Sequence, residues 1–492
     1  MKAKIYTIVA LILLTVSVGA LCFYLLPSSK YIDDDFIYVN GYPAVADSSQ
    51  QILYCPRMEA KVPKDTIMPD SSKWKIIYTT LPVVKMTADL PTSESAIRDR
   101  VKAKMSIIDP YARTSRMNTV TFNCIVHHRG ATSLSFEKKS LSIKLKESDY
   151  LTDLDADIFG IRKENNWILN AMAADDTRMR NKVCFDIWNE YSKTPYTTKF
   201  NQRNGSSAEF VELILNGKYW GVYTFSDKID RKLLGLSKTR AAIIGTPTPR
   251  GVLYKSDSWT EENAFNGYSG APGNEIKWSG WELRTPDDYP STEAWQPLLE
   301  HIKMCCEADD KEFREQFEDN FYVDNIIDFV IFKLAFNLND NCPKNVHWSI
   351  TDISSEDRML LTPWDLDASF GADYFGNHSE SLVSFSSFKL STPIRRMFET
   401  NVANCRYKLV KRWGELKNSI FKPSNVQRMM FEYADEINRS GAWQRERKMW
   451  NNNPVNLPAD IYENIDREME WYRKNYEFVD KSLKSGLFFT VF

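Results

Sequence analysis

From Phe321 to Leu338 the chain reads Phe-Tyr-Val-Asp-Asn-Ile-Ile-Asp-Phe-Val-Ile-Phe-Lys-Leu-Ala-Phe-Asn-Leu. The run is too long for a strand and apolar on more than one face, which predicts a buried helix. Asn339-Asp340-Asn341-Cys342-Pro343-Lys344-Asn345 then breaks the pattern. Pro343 forbids helix continuation, and Asn and Asp favour local backbone bonding, so a turn-rich loop is expected. Val346–Thr351 has strand character. After a second polar loop, Met359-Leu-Leu-Thr-Pro-Trp364 forms another apolar run that stops abruptly at Asp365-Leu366-Asp367. An acid that closes an apolar run is held at a fixed place.

Upstream, period-two alternation predicts strands at Thr119–His127 and Ser140–Leu145, with a turn at Arg129-Gly130 between them. Val211–Leu215 and Lys218–Phe225 flank Asn216-Gly217, a strong hairpin signal. Ala174-Asp175-Asp176-Thr177 reads as a helix start, with an amphipathic helix following to Tyr191. Downstream, Met397–Trp413, Lys422–Arg439 and Ile461–Leu483 have helical period and mixed charge, and Trp443–Pro458 is expected as a polar break. At the amino terminus, Ile5–Leu26 carries no charge and follows Lys2 and Lys4. As a helix it is about 33 Å long, enough to span a bilayer, and the flanking lysines predict a body held outside the cytoplasm. The rival expectation is a cleaved signal peptide with secretion.

A chain of 492 residues with 43% hydrophobic content buries a large core. Its 63 Lys and Arg balance 65 Asp and Glu, leaving no basic surplus to neutralise phosphates along a nucleic acid. The eight cysteines follow no metal-ligand spacing.

The order helix, Asp-x-x-x-x-Asn loop, strand, turn, apolar strand, Asp is that of a phosphoryl-transfer site of the protein-kinase type. There, one Asp orients the nucleophile, while the Asn and a later Asp hold divalent cations. Asp340 is the candidate catalytic residue; Asn345 and Asp365 are the candidate metal ligands. Hard oxygen donors suit Mg²⁺ or Mn²⁺. In place of a Gly-rich loop, Arg129-Gly130-Ala-Thr-Ser133 offers a guanidinium able to grip phosphate. Lys144 occupies its strand as the lysine of a Val-Ala-Ile-Lys pattern does.

Asn339-Asp340-Asn341 with Lys344-Asn345, then Pro363-Trp364-Asp365-Leu366-Asp367 and Phe370-Gly371, resembles the spore coat protein CotH kinase family. Further matching blocks occur in order at Arg129–Ser133, Lys138-Lys139-Ser140, Trp167–Asn170, Arg178–Lys182 and Val211–Tyr223. The resemblance implies an atypical, kinase-like enzyme that uses ATP and a divalent metal to phosphorylate a protein. It also implies Lys139, of the Lys-Lys-Ser block, as the cation on the phosphates, with Lys144 the alternative.

The fold class expected is therefore α+β: a two-lobed, protein-kinase-like fold following an N-terminal transmembrane helix. Residues 1–27 are expected as the anchor or signal, 28–72 as a spacer and 73–230 as a β-rich small lobe. Residues 231–492 form a helical large lobe, with an insertion near 240–296. The function expected is protein kinase; the alternative is a non-catalytic surface scaffold or adhesin that keeps the fold.

Overall fold

A computed structural model describes residues 36–39, 41–57, 74–196, 202–241, 245–385 and 388–492. They form a mixed α+β protein with ten helices and several sheets. The expectation of a membrane anchor is corrected here. Among the described residues no helix is long and apolar enough to cross a membrane. The longest, Ile461–Ser485, is 25 residues and studded with charge, including Asp466, Arg467 and Glu468. The run Ile5–Leu26 lies outside the described residues, so a membrane partner, a body beyond the cytoplasmic membrane and secretion have no structural support.

Seven strands close into a barrel in the order Asn166–Asn170, Lys218–Asp227, Ala208–Leu215, Val83–Ala88, Val101–Ile108, Thr119–Arg129 and Ser140–Lys146. Neighbours are antiparallel except Val83–Ala88 against Ala208–Leu215, which run parallel. Alternation explains which side chains fill it. In Thr119–Arg129, Val120, Phe122, Cys124 and Val126 are buried, while Ile125, His127 and Arg129 line an outer cleft. The expected hairpin turn is present, with Asn216 and Gly217 both at positive φ. The chain ahead of the barrel adds a separate four-stranded sheet, beginning with Ile37–Val39, Tyr42–Asp47 and Ile52–Pro56 and ending with Lys75–Thr79.

A further, five-stranded antiparallel sheet runs Lys277–Trp278, Trp281–Thr285, Val252–Ser256, Val346–Ile350 and Leu360–Pro363. Three of its strands come from residues 240–296. Beneath it lies the helix Val323–Phe336, buried at every position but Asp324. Asn337 ends this helix in the left-handed conformation, a usual place for Asn. The C-terminal helix clamps the same end: Asn475 Nδ2 donates to the Leu334 and Ala335 carbonyls, at 2.9 and 3.0 Å. The result is a rigid base for the loop that follows.

Candidate active site

That loop is tied to the end of the last sheet strand by a small network. Asn341 Nδ2 donates to the carbonyls of Asn345 (3.0 Å) and Trp364 (2.7 Å), and the Trp364 amide donates to the Asn345 carbonyl at 3.1 Å. Asn345 and Asp365 both take positive φ, 58° and 60°. Asn and Asp tolerate this better than other residues with a side chain. Lys333, fully buried on the preceding helix, holds the loop from below, its Nζ donating to the Leu338 and Asn341 carbonyls at 2.5 and 2.7 Å. Lys333→Met is expected to leave both carbonyls without that donor, destabilising the protein by about 1–3 kcal/mol in urea denaturation.

Asp340, Asp365 and Asp367 line one small cleft of about 90 Å³, together with Arg129, Lys138, Lys344 and Tyr374. Asp340 is steadied from two sides: Asn345 Nδ2 donates to its Oδ2 at 2.8 Å and Lys344 Nζ lies 3.2 Å from the same oxygen. Asn345 stands behind Asp340 and does not line the cleft. Burial raises Asp340 above the ordinary carboxylate range, with Asp365 adding to the rise and Lys344 opposing it. Asp367 is also raised, by burial first and by the Asp365 charge second. Lys138 is taken up by Glu446 and Lys344 by Asp340, and the remaining repulsion of the carboxylates for one another, seen in the raised Asp340 and Asp367, suits a cation between them.

The sign of these shifts fixes a pH dependence. Because the folded values lie above the unfolded ones, the folded protein holds protons that the unfolded chain has released. The contribution of these two groups to metal-free stability therefore falls as pH rises above about 4. A divalent ion must displace those protons. The rise in Tm caused by Mn²⁺ is accordingly expected to grow between pH 5 and pH 8; an equal rise at both would contradict it.

Adjoining this cleft is a chamber of about 370 Å³ between the barrel and the five-stranded sheet. Its charge is opposite: Arg100, Arg129, Lys144, Lys228, Lys255 and Arg284 line it, against Glu282 and Asp287. Lys144 pairs with Asp153 at 2.9 Å, Arg284 with Glu282 at 2.8 Å, and Lys255 with Asp257. Arg129 and Lys228 make no salt bridge among the described residues, and only the more distant charges of Asp365 and Asp230 support them. Arg129 lies over the Trp364 ring, 5.7 Å from its centre, and Lys228 donates to Ser142 Oγ at 2.8 Å. Burial, reinforced by Arg284 and Arg129, pushes Lys228 down to about 7. Unpaired cations crowded into a cleft mark a place for an anion, and Arg129 borders both clefts.

The residues expected from sequence fall into three groups. Asp340, Asp365 and Arg129 share the acidic cleft, with Asn345 against Asp340. Lys144 lines the cationic chamber. Lys139 lines neither; its Nζ donates to the Phe136 carbonyl at 2.5 Å. Its neighbour Lys138 enters the acidic cleft instead, fully buried over the Tyr223 ring, with Nζ 2.7 Å from Glu446 Oε1. Ser140, Ser142 and Lys144 of the following strand face the two clefts, and Lys138 reaches the acidic one from the bend ahead of that strand. Glu446 comes from the helix Ala442–Trp450 and also accepts from Arg178 Nε at 2.7 Å. Arg284 and Glu446 stand out in no local sequence pattern.

The chain matches the profile of the CotH kinase protein family over residues 126–482. It belongs to the CotH kinase family. No curated protein matches it. Membership implies a kinase-type activity and, in general terms, a nucleotide and metal requirement. Arg129, Lys138, Asp340, Asn345, Asp365, Asp367 and Glu446 all lie within the matched stretch.

Proposed function

We propose that this CotH-family protein is a protein kinase of two-lobed, kinase-like design that transfers the γ-phosphate of ATP to a protein hydroxyl. The barrel side carries Arg129, Lys138 and Lys144; the sheet-and-helix side carries Asp340, Asn345 and Asp365. The observation that supports this is the abutment of an acidic cleft and a cationic chamber at Arg129. Phosphates suit the second, and a divalent ion suits the first.

The donor set fits Mg²⁺ or Mn²⁺: Asp365 and Asp367 would supply carboxylate oxygens from the wall of the cleft, while Asn345, behind it, acts through Asp340. When bound, the ion offsets phosphate charge and polarises the group being transferred. Asp340 orients the acceptor hydroxyl and takes up its proton, a role helped by its raised proton affinity. Lys344 and Asn345 hold the Asp340 carboxylate in place. Arg129 and Lys138 supply positive charge that remains fixed during transfer, and Lys138 takes the part first expected of Lys139.

The test is incubation of the purified protein with γ-labelled ATP, Mn²⁺ or Mg²⁺, and casein as a generic acceptor. Metal-dependent labelling of the protein itself or of casein is expected. Absence of labelling, together with no rise in Tm at millimolar ATP and metal, would overturn the proposal.

A further inference from the structure

His347 sits in the middle of the strand Val346–Ile350, opposite Lys255 on one neighbouring strand and Thr362 on the other. Its side chain lines the cationic chamber although the residue is only 4% exposed. The ring packs edge-on against Trp364, with centres 6.1 Å apart. Among the described residues it makes no hydrogen bond, and Nδ1 in particular is buried without a partner. Nδ1 is closed off from the chamber as well as unbonded, so a ligand contact falls to Nε2. Packing, not hydrogen bonding, therefore holds this ring at the wall of a ligand-sized chamber.

Resting on the nucleotide reading above, the geometry points to His347 as a hydrogen-bonding contact to an uncharged group of the nucleoside, a sugar hydroxyl or a base nitrogen. Two features of the chamber favour that end of the ligand over the phosphates. The charged work is already supplied by Arg129 and Lys228, neither of which is held in a salt bridge among the described residues. The same chamber also offers Ile125, Ile168 and Ile229, apolar surface that a triphosphate has no use for and a nucleoside does. A neutral ring flanked by lysine and arginine adds hydrogen-bonding capacity without adding charge. His347 is thus assigned to recognition of the nucleoside, and Arg129 and Lys228 to its phosphates.

Calorimetric titration of the purified protein with ATP and with inorganic tripolyphosphate, each with Mn²⁺, tests the assignment. His347→Phe keeps a ring against Trp364 and removes both nitrogens; His347→Gln keeps a hydrogen-bonding amide. His347→Phe is expected to weaken ATP about tenfold, the scale of one lost buried hydrogen bond. Tripolyphosphate affinity is expected to stay within about twofold, because no phosphate contact is removed. His347→Gln should fall between wild type and His347→Phe for ATP. Unchanged ATP affinity in His347→Phe, or equal weakening of both ligands, would overturn the assignment while leaving the nucleotide reading intact. A wild-type protein that binds neither ligand would overturn both.

Discussion

Asp365→Asn is expected to lower phosphoryl transfer by on the order of 10³-fold while leaving the fold in place. The substitution removes one charge and little else. Asn is nearly isosteric with Asp and accepts the left-handed backbone found at this position, φ 60°. Asp365 makes no salt bridge among the described residues, and only the buried Arg129 draws on its charge from a distance. Its charge instead raises the proton affinity of Asp340 and Asp367. Neutralising it relieves that repulsion, so Tm without metal should stay level or rise. What is lost is a carboxylate ligand, so Mn²⁺ should no longer raise Tm by the wild-type amount. Full labelling activity in Asp365→Asn, or a collapse of Tm without metal, would contradict the role assigned to it.

Breaking the Lys138–Glu446–Arg178 cluster is expected to have the largest effect on stability. Glu446 Oε1 lies 2.7 Å from both Lys138 Nζ and Arg178 Nε, and its Oε2 accepts from the Val222 amide at 2.7 Å. All three side chains are fully buried. Glu446→Ala leaves two cations in the interior without their shared counter-charge, a loss of about 3–5 kcal/mol. Val222 sits on a barrel strand beside Gly221, where a side chain would run into Glu446 Oε2 at 2.2 Å. The cluster therefore locks the helix Ala442–Trp450 to the barrel and fixes Lys138 at the acidic cleft. Urea denaturation measures the loss. At temperatures where Glu446→Ala remains folded, a raised KM for ATP should accompany it. A change under about 1 kcal/mol would show that the cluster is not a structural clamp.

Much of this arrangement is legible in the sequence because single local patterns encode it. The all-round apolar run at 321–338 gives the buried helix Val323–Phe336. Asn216-Gly217 gives the hairpin, and the run ending at Trp364 gives the strand that delivers Asp365. Asp340 and Asn345 lie close in sequence, so their contact needs only a turn. Other parts depend on distant pairings that no local pattern carries. Closure of the barrel rests on the parallel match of Glu212–Leu215 with Val83–Met86. The cationic chamber gathers Arg129, Lys228 and Arg284 from three separate strands or strand ends.

The stretch 443–458 shows why a polar reading misled. Gln, Arg, Glu, Lys and Asn fill nine of its sixteen positions, yet Trp443, Glu446 and Trp450 share one buried face at helical spacing. Glu446 is buried because its partners are, and those lie hundreds of residues upstream. The choice between Lys139 and Lys144 rests on the family block alone; the fold sets Lys144 in the cationic chamber and Lys139 against the Phe136 carbonyl, and it is the neighbouring Lys138 that borders the acidic cleft.

The central claim is that a divalent ion and a nucleotide's phosphates meet at the junction of the two clefts. Anomalous diffraction from crystals grown with Mn²⁺ and a non-hydrolysable ATP analogue tests it most directly. The account predicts a manganese peak bound by Asp365 and Asp367, with phosphate density against Arg129. Phosphate density away from Arg129, or manganese bound only outside the Asp340, Asp365 and Asp367 cleft at saturating concentrations, would contradict it.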